Sequence, residues 1–146
     1  MPITTEAVGK TYPPVLYAVG REKVREYAHA TGETNPVYLD PEAARAAGHA
    51  DVVAPPMFAV VYSAPALAPA ILDPEVGINF ATLVHGGQDF AWGAVVVAGD
   101  EITTTASVKD ISERAGMGFY VFESVSQNQR GETVCTGTWT NIVRGV

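Results

Sequence analysis

Cysteine, positive charge and long apolar runs are all scarce in this 146-residue sequence. The single cysteine, Cys135, excludes an internal disulfide. Nine Lys and Arg against sixteen Asp and Glu give a net charge of −7, which argues against nucleic acid as a partner because phosphate neutralisation dominates such binding. No uninterrupted apolar run approaches the ~18 residues that a membrane span requires. The N-terminus has no basic segment followed by an apolar one, so we expect no signal peptide and a cytoplasmic protein.

Ligand sets for metals and nucleotides are also missing. The three histidines, His29, His49 and His85, are scattered without the spacing of a metal site. No P-loop, GxGxxG or GxSxG motif is present. We therefore expect no metal and no cofactor. Cys135 lies in an alternating, strand-like segment and is expected to be a packing residue.

The first third of the sequence predicts a strand and two helices within a single domain of residues 1–146. Residues 11–19 are apolar and read as a strand or extended arm, and residues 20–32 carry one apolar helix face. Asp40 as N-cap and Pro41 at the first helical position predict a second helix, which Gly48 ends.

The apolar segment of residues 55–72 predicts a buried central helix. It has almost no polar face, and such helices are usually enclosed by the rest of the protein. Pro56 suits the first turn of this helix. Pro65 and Pro69 lack the N–H that a helix interior needs, so they are expected to end or kink it.

The sequence after residue 78 predicts about four strands, because β-branched and aromatic residues alternate with polar ones. Turns are expected at residues 98–100, 112–118 and 129–132. The short connections make the last three strands antiparallel neighbours. The predicted fold class is α+β, with a curved antiparallel sheet wrapped around the long apolar helix. The open edges of such a sheet predict pairing with a second subunit.

Four motifs, taken in order, resemble the MaoC-like hydratases and dehydratases of the hot-dog fold. The family pattern G-D-x-N-P-x-H-x-D has its counterpart in GETNPVYLD (32–40), which is followed by an alanine-rich helix. The family segment A-H-G-M aligns, without a gap, with APPM (54–57), and VVVAGDEIT resembles the later P-V-x-x-G-D. The resemblance implies a hot-dog fold and acyl thioesters of CoA or acyl carrier protein as ligands.

The same alignment shows which catalytic groups this chain has replaced. Family chemistry adds or removes water across a thioester-conjugated double bond, which requires a general base, a carboxylate and a backbone N–H for the thioester oxygen. The family histidine aligns with Tyr38, whose phenol has a pKa near 10 and is a poor base. The aspartate aligns with Glu33, which moves the carboxylate by one methylene. The glycine that donates its N–H aligns with Pro56, which has none.

Three further segments resemble one branch of the family more closely. VGREKVREYAHATG, VVAPPMF and VHGGQDFAW are similar to the non-catalytic subunit of the actinobacterial heterodimeric (3R)-hydroxyacyl-ACP dehydratases. The resemblance implies a subunit that binds acyl-CoA or acyl-ACP beside a catalytic hot-dog subunit, with no catalytic residue of its own. The candidate substrate-binding residues are Glu33, Asn35, Tyr38, Pro55, Pro56, Met57, Tyr62 and His85.

Two other functions stay open at this point. One is a self-sufficient homodimeric hydratase, dehydratase or thioesterase that uses Glu33 and Tyr38, so whether the chain is itself an enzyme is undecided. The other is a homodimeric thioester-binding regulatory module without turnover. Trp92 and Trp139 lie in predicted strands and are expected to be core or subunit-contact residues.

Overall fold

A five-stranded antiparallel sheet packs against a central helix. The computed structural model describes residues 2–146. Its elements are β1 (Val15–Ala18), α1 (Arg21–Ala30), α2 (Pro41–Ala46), α3 (Ala59–Ile71), β2 (Leu83–Trp92), β3 (Glu101–Arg114), β4 (Met117–Gln127) and β5 (Thr133–Arg144). The strand order is β1-β3-β4-β5-β2, with every neighbouring pair antiparallel. α3 lies across β3 and β4. The predicted α+β arrangement is confirmed.

The long strands β3, β4 and β5 bury every second side chain over most of their length, because successive side chains point to opposite faces of a sheet. Their predicted antiparallel order is confirmed. The turn expected at residues 112–118 is shorter, since pairing continues until Arg114 lies opposite Met117. Ala115 and Gly116 close this hairpin with φ of 54° and 75°, and positive φ at both central residues suits the twist of a two-residue hairpin.

The predicted signals of the two short helices are confirmed. The Asp40 carboxylate accepts a hydrogen bond from the Glu42 N–H at 3.0 Å and so caps α2. Gly32 follows α1 with a φ of 75°, the left-handed conformation that favours glycine after a helix. Val24 and Ala28 bury the inner face of α1 against the core.

The central helix α3 continues past both prolines, and one of its sides is open. Pro65 and Pro69 do not end it, and it continues to Ile71. Both prolines are exposed, so the carbonyl groups that lose a helical partner lie on the solvent side, where water can reach them. The helix is also not enclosed all round: Tyr62 and Leu67 are buried on its inner face, whereas the proline face is exposed in the isolated chain.

The strand predicted across residues 78–97 is shorter than expected. β2 forms an edge of the sheet beside β5, and residues 93–100 leave the sheet as a loop. This loop runs along the segment before α3, where the Ala54 N–H donates to the Val96 carbonyl at 2.9 Å. Gly93 begins the loop at a point where a Cβ would collide with the backbone of β5.

Two apolar clusters fill the space between the sheet and the helices. One surrounds Leu67, Phe122 and Trp139 beneath the second half of α3, and the other surrounds Phe58 beneath α1 and the start of α3. Cys135 belongs to the second cluster and is 1% exposed, which agrees with its predicted packing role. Within residues 2–146, no helix combines the length and apolar character needed to span a membrane.

A polar contact joins the N-terminal segment to the residues that follow α3. Lys10 Nζ lies 2.6 Å from Asp73 Oδ2, and the Tyr12 hydroxyl donates to the same oxygen at 2.7 Å. These two donors, Lys10 first, hold the pKa of Asp73 at about 2.

We expect Asp73→Asn to unfold at a lower temperature than the wild type near neutral pH and to converge with it in acid. The folded-state pKa lies below the ordinary value near 4, so the stabilisation is present above about pH 4 and is lost as the pH falls towards about 2. Thermal unfolding followed by circular dichroism across this range measures the difference. Glu75→Gln, which removes only the exposed partner of Lys10, is the control. A difference that does not change with pH would contradict the assignment.

Candidate functional site

A cavity of about 340 Å³ opens between the start of α3 and the loop that follows β2. Its volume lies at the small end of the roughly 300–1,000 Å³ range of ligand sites, and its walls are mostly apolar, as is usual for such sites. It is lined by Tyr38, Val53, Ala54, Pro55, Pro56, Tyr62, Trp92, Gly93, Ala94, Val95, Val96 and Val134. Four predicted substrate-binding residues, Tyr38, Pro55, Pro56 and Tyr62, therefore meet at one place.

Tyr62 of α3 is the most deeply buried polar side chain in the cavity wall, with 3% of its surface exposed. Its hydroxyl faces the thiol of Cys135 on β5. Burial raises the pKa of Tyr62, and the neighbouring thiol raises it further. Burial likewise raises the pKa of Cys135, opposed in part by the Tyr62 hydroxyl. Both groups are therefore neutral at physiological pH, so neither provides a base or a thiolate nucleophile.

The rim of the cavity is apolar and exposed. Trp92, the last residue of β2, is 52% exposed, and its indole N–H donates to the Pro56 carbonyl at 2.7 Å. Val95 is 52% exposed and Met57, beside Pro56, is 49% exposed. Trp92 is thus not a core residue, unlike Trp139, because β2 is an edge strand and nothing in the described chain covers its end.

One cavity wall, the loop of residues 93–100, is held in place by Asp100. This carboxylate is 3% exposed; one oxygen accepts the Val97 N–H at 3.0 Å and the other accepts the Gln129 amide at 2.8 Å. Gly99 turns the chain with a φ of 97°. Residues 97–100 (VAGD), which resemble part of the family's P-V-x-x-G-D pattern, therefore form a turn that shapes the cavity.

The loop of residues 32–40 contributes one side chain to the cavity, Tyr38. Asn35 instead supports the loop, because its side-chain oxygen accepts the Val37 N–H at 3.1 Å. Glu33 does not line the cavity. Its carboxylate lies near the Tyr27 hydroxyl, where burial first and the Glu33 charge second raise the pKa of Tyr27. Glu33 and Tyr38 therefore do not share the cavity.

The start of the central helix offers the cavity no N–H from either proline. Pro56 begins a single turn of 3-10 helix, Pro56–Phe58, that leads into α3. The Phe58 N–H is engaged by the Pro55 carbonyl at 2.8 Å. Because Pro56 has no N–H, the first N–H of this turn belongs to Met57. The position aligned with the family's oxyanion donor thus presents a carbonyl, bonded to Trp92, and a nitrogen without a proton.

His85 lies apart from the cavity. It is exposed on β2, with its ring 6.1 Å from that of Trp139 in an edge-to-face arrangement. No group of three or more potential metal ligands comes together among residues 2–146.

Several cavity residues were not predicted from the sequence. Ala94, Val95 and Val96 come from a segment predicted as strand, and Val134 comes from β5. These side chains are ordinary aliphatic residues far from Pro56 in sequence, and no local signal marks them. Among the cavity residues that were not predicted, Trp92 at the end of β2 has the most distinctive side chain. The eight candidate residues stay predictions as substrate contacts.

A five-stranded antiparallel sheet of this order packed on one central helix is the hot-dog fold, and comparison with known proteins places the chain among the dehydratases of that fold. The chain is similar to a MaoC-like dehydratase with a TM-score of 0.86 and 28% identity, over 97% of this chain and 43% of that longer protein. It is also similar to the HadBC (3R-hydroxyacyl-ACP dehydratase) complex of Mycobacterium tuberculosis, with a TM-score of 0.80 and 27% identity over 94% of this chain and 98% of that chain.

Sequence comparison places the chain more narrowly. Residues 6–137 match the family model described as FAS1-like, dehydratase domain region, and the chain belongs to that family. A protein of Clavibacter michiganensis subsp. michiganensis named UPF0336 is 47% identical over 146 residues, covering 99% of this chain and 98% of the relative. The predicted resemblance to the MaoC-like hot-dog dehydratases is confirmed.

Proposed function

We propose that this chain is the acyl-thioester-binding, non-catalytic subunit of a (3R)-hydroxyacyl-thioester dehydratase. A second hot-dog subunit supplies the catalytic aspartate and histidine, and this chain holds and shapes the path of the acyl group. The observation that carries the proposal is Pro56. At the helix start where the family places an N–H against the thioester oxygen, this chain has a proline nitrogen.

The cavity supports the binding half of the proposal. Its apolar walls suit an acyl chain, whose transfer from water is favourable in proportion to the area buried. The hydroxyl groups of Tyr38 and Tyr62 are its main polar features, and phenols at neutral pH donate hydrogen bonds to carbonyl oxygens without acting as strong bases. The site therefore fits the carbonyl and alkyl parts of an acyl thioester.

The open side of the cavity supports the partner. Apolar side chains at the rim, including Met57 and Trp92, are about half exposed in the isolated chain. Exposed apolar groups beside an unpaired sheet edge are typical of a protein interface. The similar HadBC structure is a complex, which supports a pair of hot-dog subunits as the working assembly.

The proposal predicts activity only from the pair. The purified chain alone should hydrate crotonyl-CoA or a longer enoyl thioester at least about 10²–10³-fold more slowly than a mixture with a catalytic subunit, because loss of one oxyanion donor costs about that factor. The catalytic subunit is a MaoC-like chain that carries the intact G-D-x-N-P-x-H-x-D loop, from the same genome. The decrease in enoyl-thioester absorbance measures the rate.

Two variants separate this proposal from the self-sufficient enzyme. Glu33→Gln and Tyr38→Phe should leave the activity of the pair within a few-fold of the wild type, because neither group handles a proton. Turnover by the chain alone that either variant abolishes would reject the proposal in favour of the self-sufficient enzyme that uses Glu33 and Tyr38. Binding without turnover, alone and with the partner, would favour the regulatory module.

A further inference from the structure

A second cavity, of about 270 Å³, lies at the far end of the central helix. Its walls come from the N-terminal segment (2–4), the segment that follows α3 (74–79) and the end of β5 (143–146), with Tyr120 of β4 between them. No residue lines both this cavity and the first one, at the start of α3. The 13 residues of that helix, at about 1.5 Å each, place the two cavities roughly 20 Å apart.

The second cavity has a buried floor and an exposed rim. Val76, Tyr120 and Val143 are each no more than 2% exposed, whereas Thr4 and Asn79 are exposed. A molecule can therefore reach the floor from solvent without any rearrangement of buried residues. The volume lies just below the roughly 300–1,000 Å³ of most ligand sites, so the cavity suits a small molecule.

Hydrogen bonds to Asp73 hold the wall that follows α3. The Asp73 carbonyl accepts the N–H groups of Val76 and Gly77 at 3.0 and 3.1 Å. Its carboxylate makes the contacts to Lys10 and Tyr12 described above, which tie this wall to the N-terminal segment. The cavity is therefore formed before any ligand arrives, which lowers the cost of binding.

The polar side chains of the second cavity offer donors more than acceptors. The Asn79 side-chain oxygen accepts the Ala81 N–H at 3.1 Å, and the Thr4 hydroxyl oxygen accepts the Glu6 N–H at 3.3 Å. The Tyr120 hydroxyl has no hydrogen-bond partner among residues 2–146, and burial alone raises its pKa. Because buried polar groups are nearly always hydrogen-bonded, this neutral hydroxyl is a donor that awaits an acceptor.

We propose that the second cavity binds a small uncharged molecule with an apolar body and a carbonyl oxygen that accepts a hydrogen bond from the Tyr120 hydroxyl. Ile3, Val76 and Val143 provide apolar walls for the body. Within residues 2–146, no charged side chain lines the cavity, so an ion would lose its hydration without compensation. This inference does not depend on the proposed function, because the two cavities share no residue.

A pair of probes that differ in charge tests the ligand class. 2-Heptanone and hexanoate have the same number of non-hydrogen atoms, and we expect hexanoate to bind at least about tenfold more weakly at pH 7. Titration of the isotope-labelled protein, followed by NMR, measures both affinities. 2-Heptanone should shift the backbone amide signals of Val76, Gly77 and Gly145 and leave those of Ala54 and Ala94, in the first cavity, unchanged.

Two variants test the site itself. Tyr120→Phe keeps the ring and should bind 2-heptanone about fivefold more weakly, because one hydrogen bond is lost. It should not unfold at a lower temperature than the wild type, since the missing hydroxyl had no partner within the chain. Thr4→Trp places an indole at the exposed rim and should weaken the binding of 2-heptanone by obstructing the mouth. Tyr38→Phe, which removes a hydroxyl from the first cavity, is the matched control and should bind 2-heptanone like the wild type.

Three results would overturn the proposal. Equal affinity of Tyr120→Phe and the wild type for 2-heptanone would remove the hydroxyl from the site. Hexanoate binding as tightly as 2-heptanone would refute the uncharged class of ligand. Amide shifts confined to Ala54 and Ala94, or absent around both cavities at the highest soluble concentration of 2-heptanone, would refute the second cavity as a binding site.

Discussion

Replacing Phe58 by alanine is expected to lower the free energy of unfolding by about 3–5 kcal/mol. Phe58 is fully buried, and its ring meets that of Tyr27 edge-to-face at 5.4 Å and that of Tyr17 at 6.2 Å. Tyr62, which lines the cavity, lies 6.3 Å away on α3. Alanine would leave a void bordered by three rings that are each held by other contacts. Urea unfolding followed by circular dichroism measures the loss.

The neighbouring residue provides the control for this prediction. Met57 is 49% exposed, so Met57→Ala should change the free energy of unfolding by no more than about 0.5 kcal/mol. If Phe58→Ala costs less than about 1 kcal/mol, the aromatic cluster is not closely packed. The position of Tyr62 in the cavity wall would then not depend on its packing against Phe58.

Asp100→Ala is expected to cost about 2–4 kcal/mol, because it removes a buried acceptor from several donors at once. The Val97 N–H and the Gln129 amide would lose their partner, and the Arg130 guanidinium, 3.8 Å away, would lose its nearest buried carboxylate. The same change should loosen the loop of residues 93–100. We therefore also expect weaker binding of acyl thioesters, measured by calorimetry on the same variant.

Two further variants serve as controls for the Asp100 prediction. Asp100→Asn keeps an oxygen for the Val97 N–H but loses the charge, so it should cost about half as much. Asp110→Ala, at an exposed position of β3, should stay within about 0.5 kcal/mol of the wild type. Equal stability of Asp100→Ala and Asp110→Ala would refute the role assigned to this carboxylate.

The fold was predictable wherever one local pattern dominated. Period-two burial in β3 to β5 and the short turns between these strands determine their antiparallel order, and the Asp40 cap determines the start of α2. These signals act over a few residues, and the tertiary contacts do not oppose them. The apolar composition of residues 55–72 likewise identified the central helix.

Two features of the fold depend on competition between local and tertiary effects. Pro65 and Pro69 are unfavourable inside a helix, yet both lie on the exposed face of α3, where the unpaired carbonyls reach water. Residues 93–97 have strand-like composition but leave the sheet, because they pack along the chain before α3. Neither outcome follows from the residues of a short segment alone.

The candidate site divides in the same way. Tyr38, Pro55 and Pro56 were identified because they lie in family motifs, and Tyr62 because it lies on the apolar central helix; the structure gathers all four around one cavity. The opposite wall consists of aliphatic residues whose position depends on the turn at Asp100.

The two tryptophans provide built-in optical probes for two separate events. Trp139 is 8% exposed and donates its N–H to the Ser124 hydroxyl at 2.9 Å, so its emission reports the integrity of the interior. Trp92 is half-exposed, and its indole N–H donates a hydrogen bond to the Pro56 carbonyl at the mouth of the cavity. Under the proposed function, its emission should shift when a bound acyl group or a second subunit excludes water from the mouth of the cavity. Single-tryptophan variants would therefore let unlabelled protein report loading and assembly in real time.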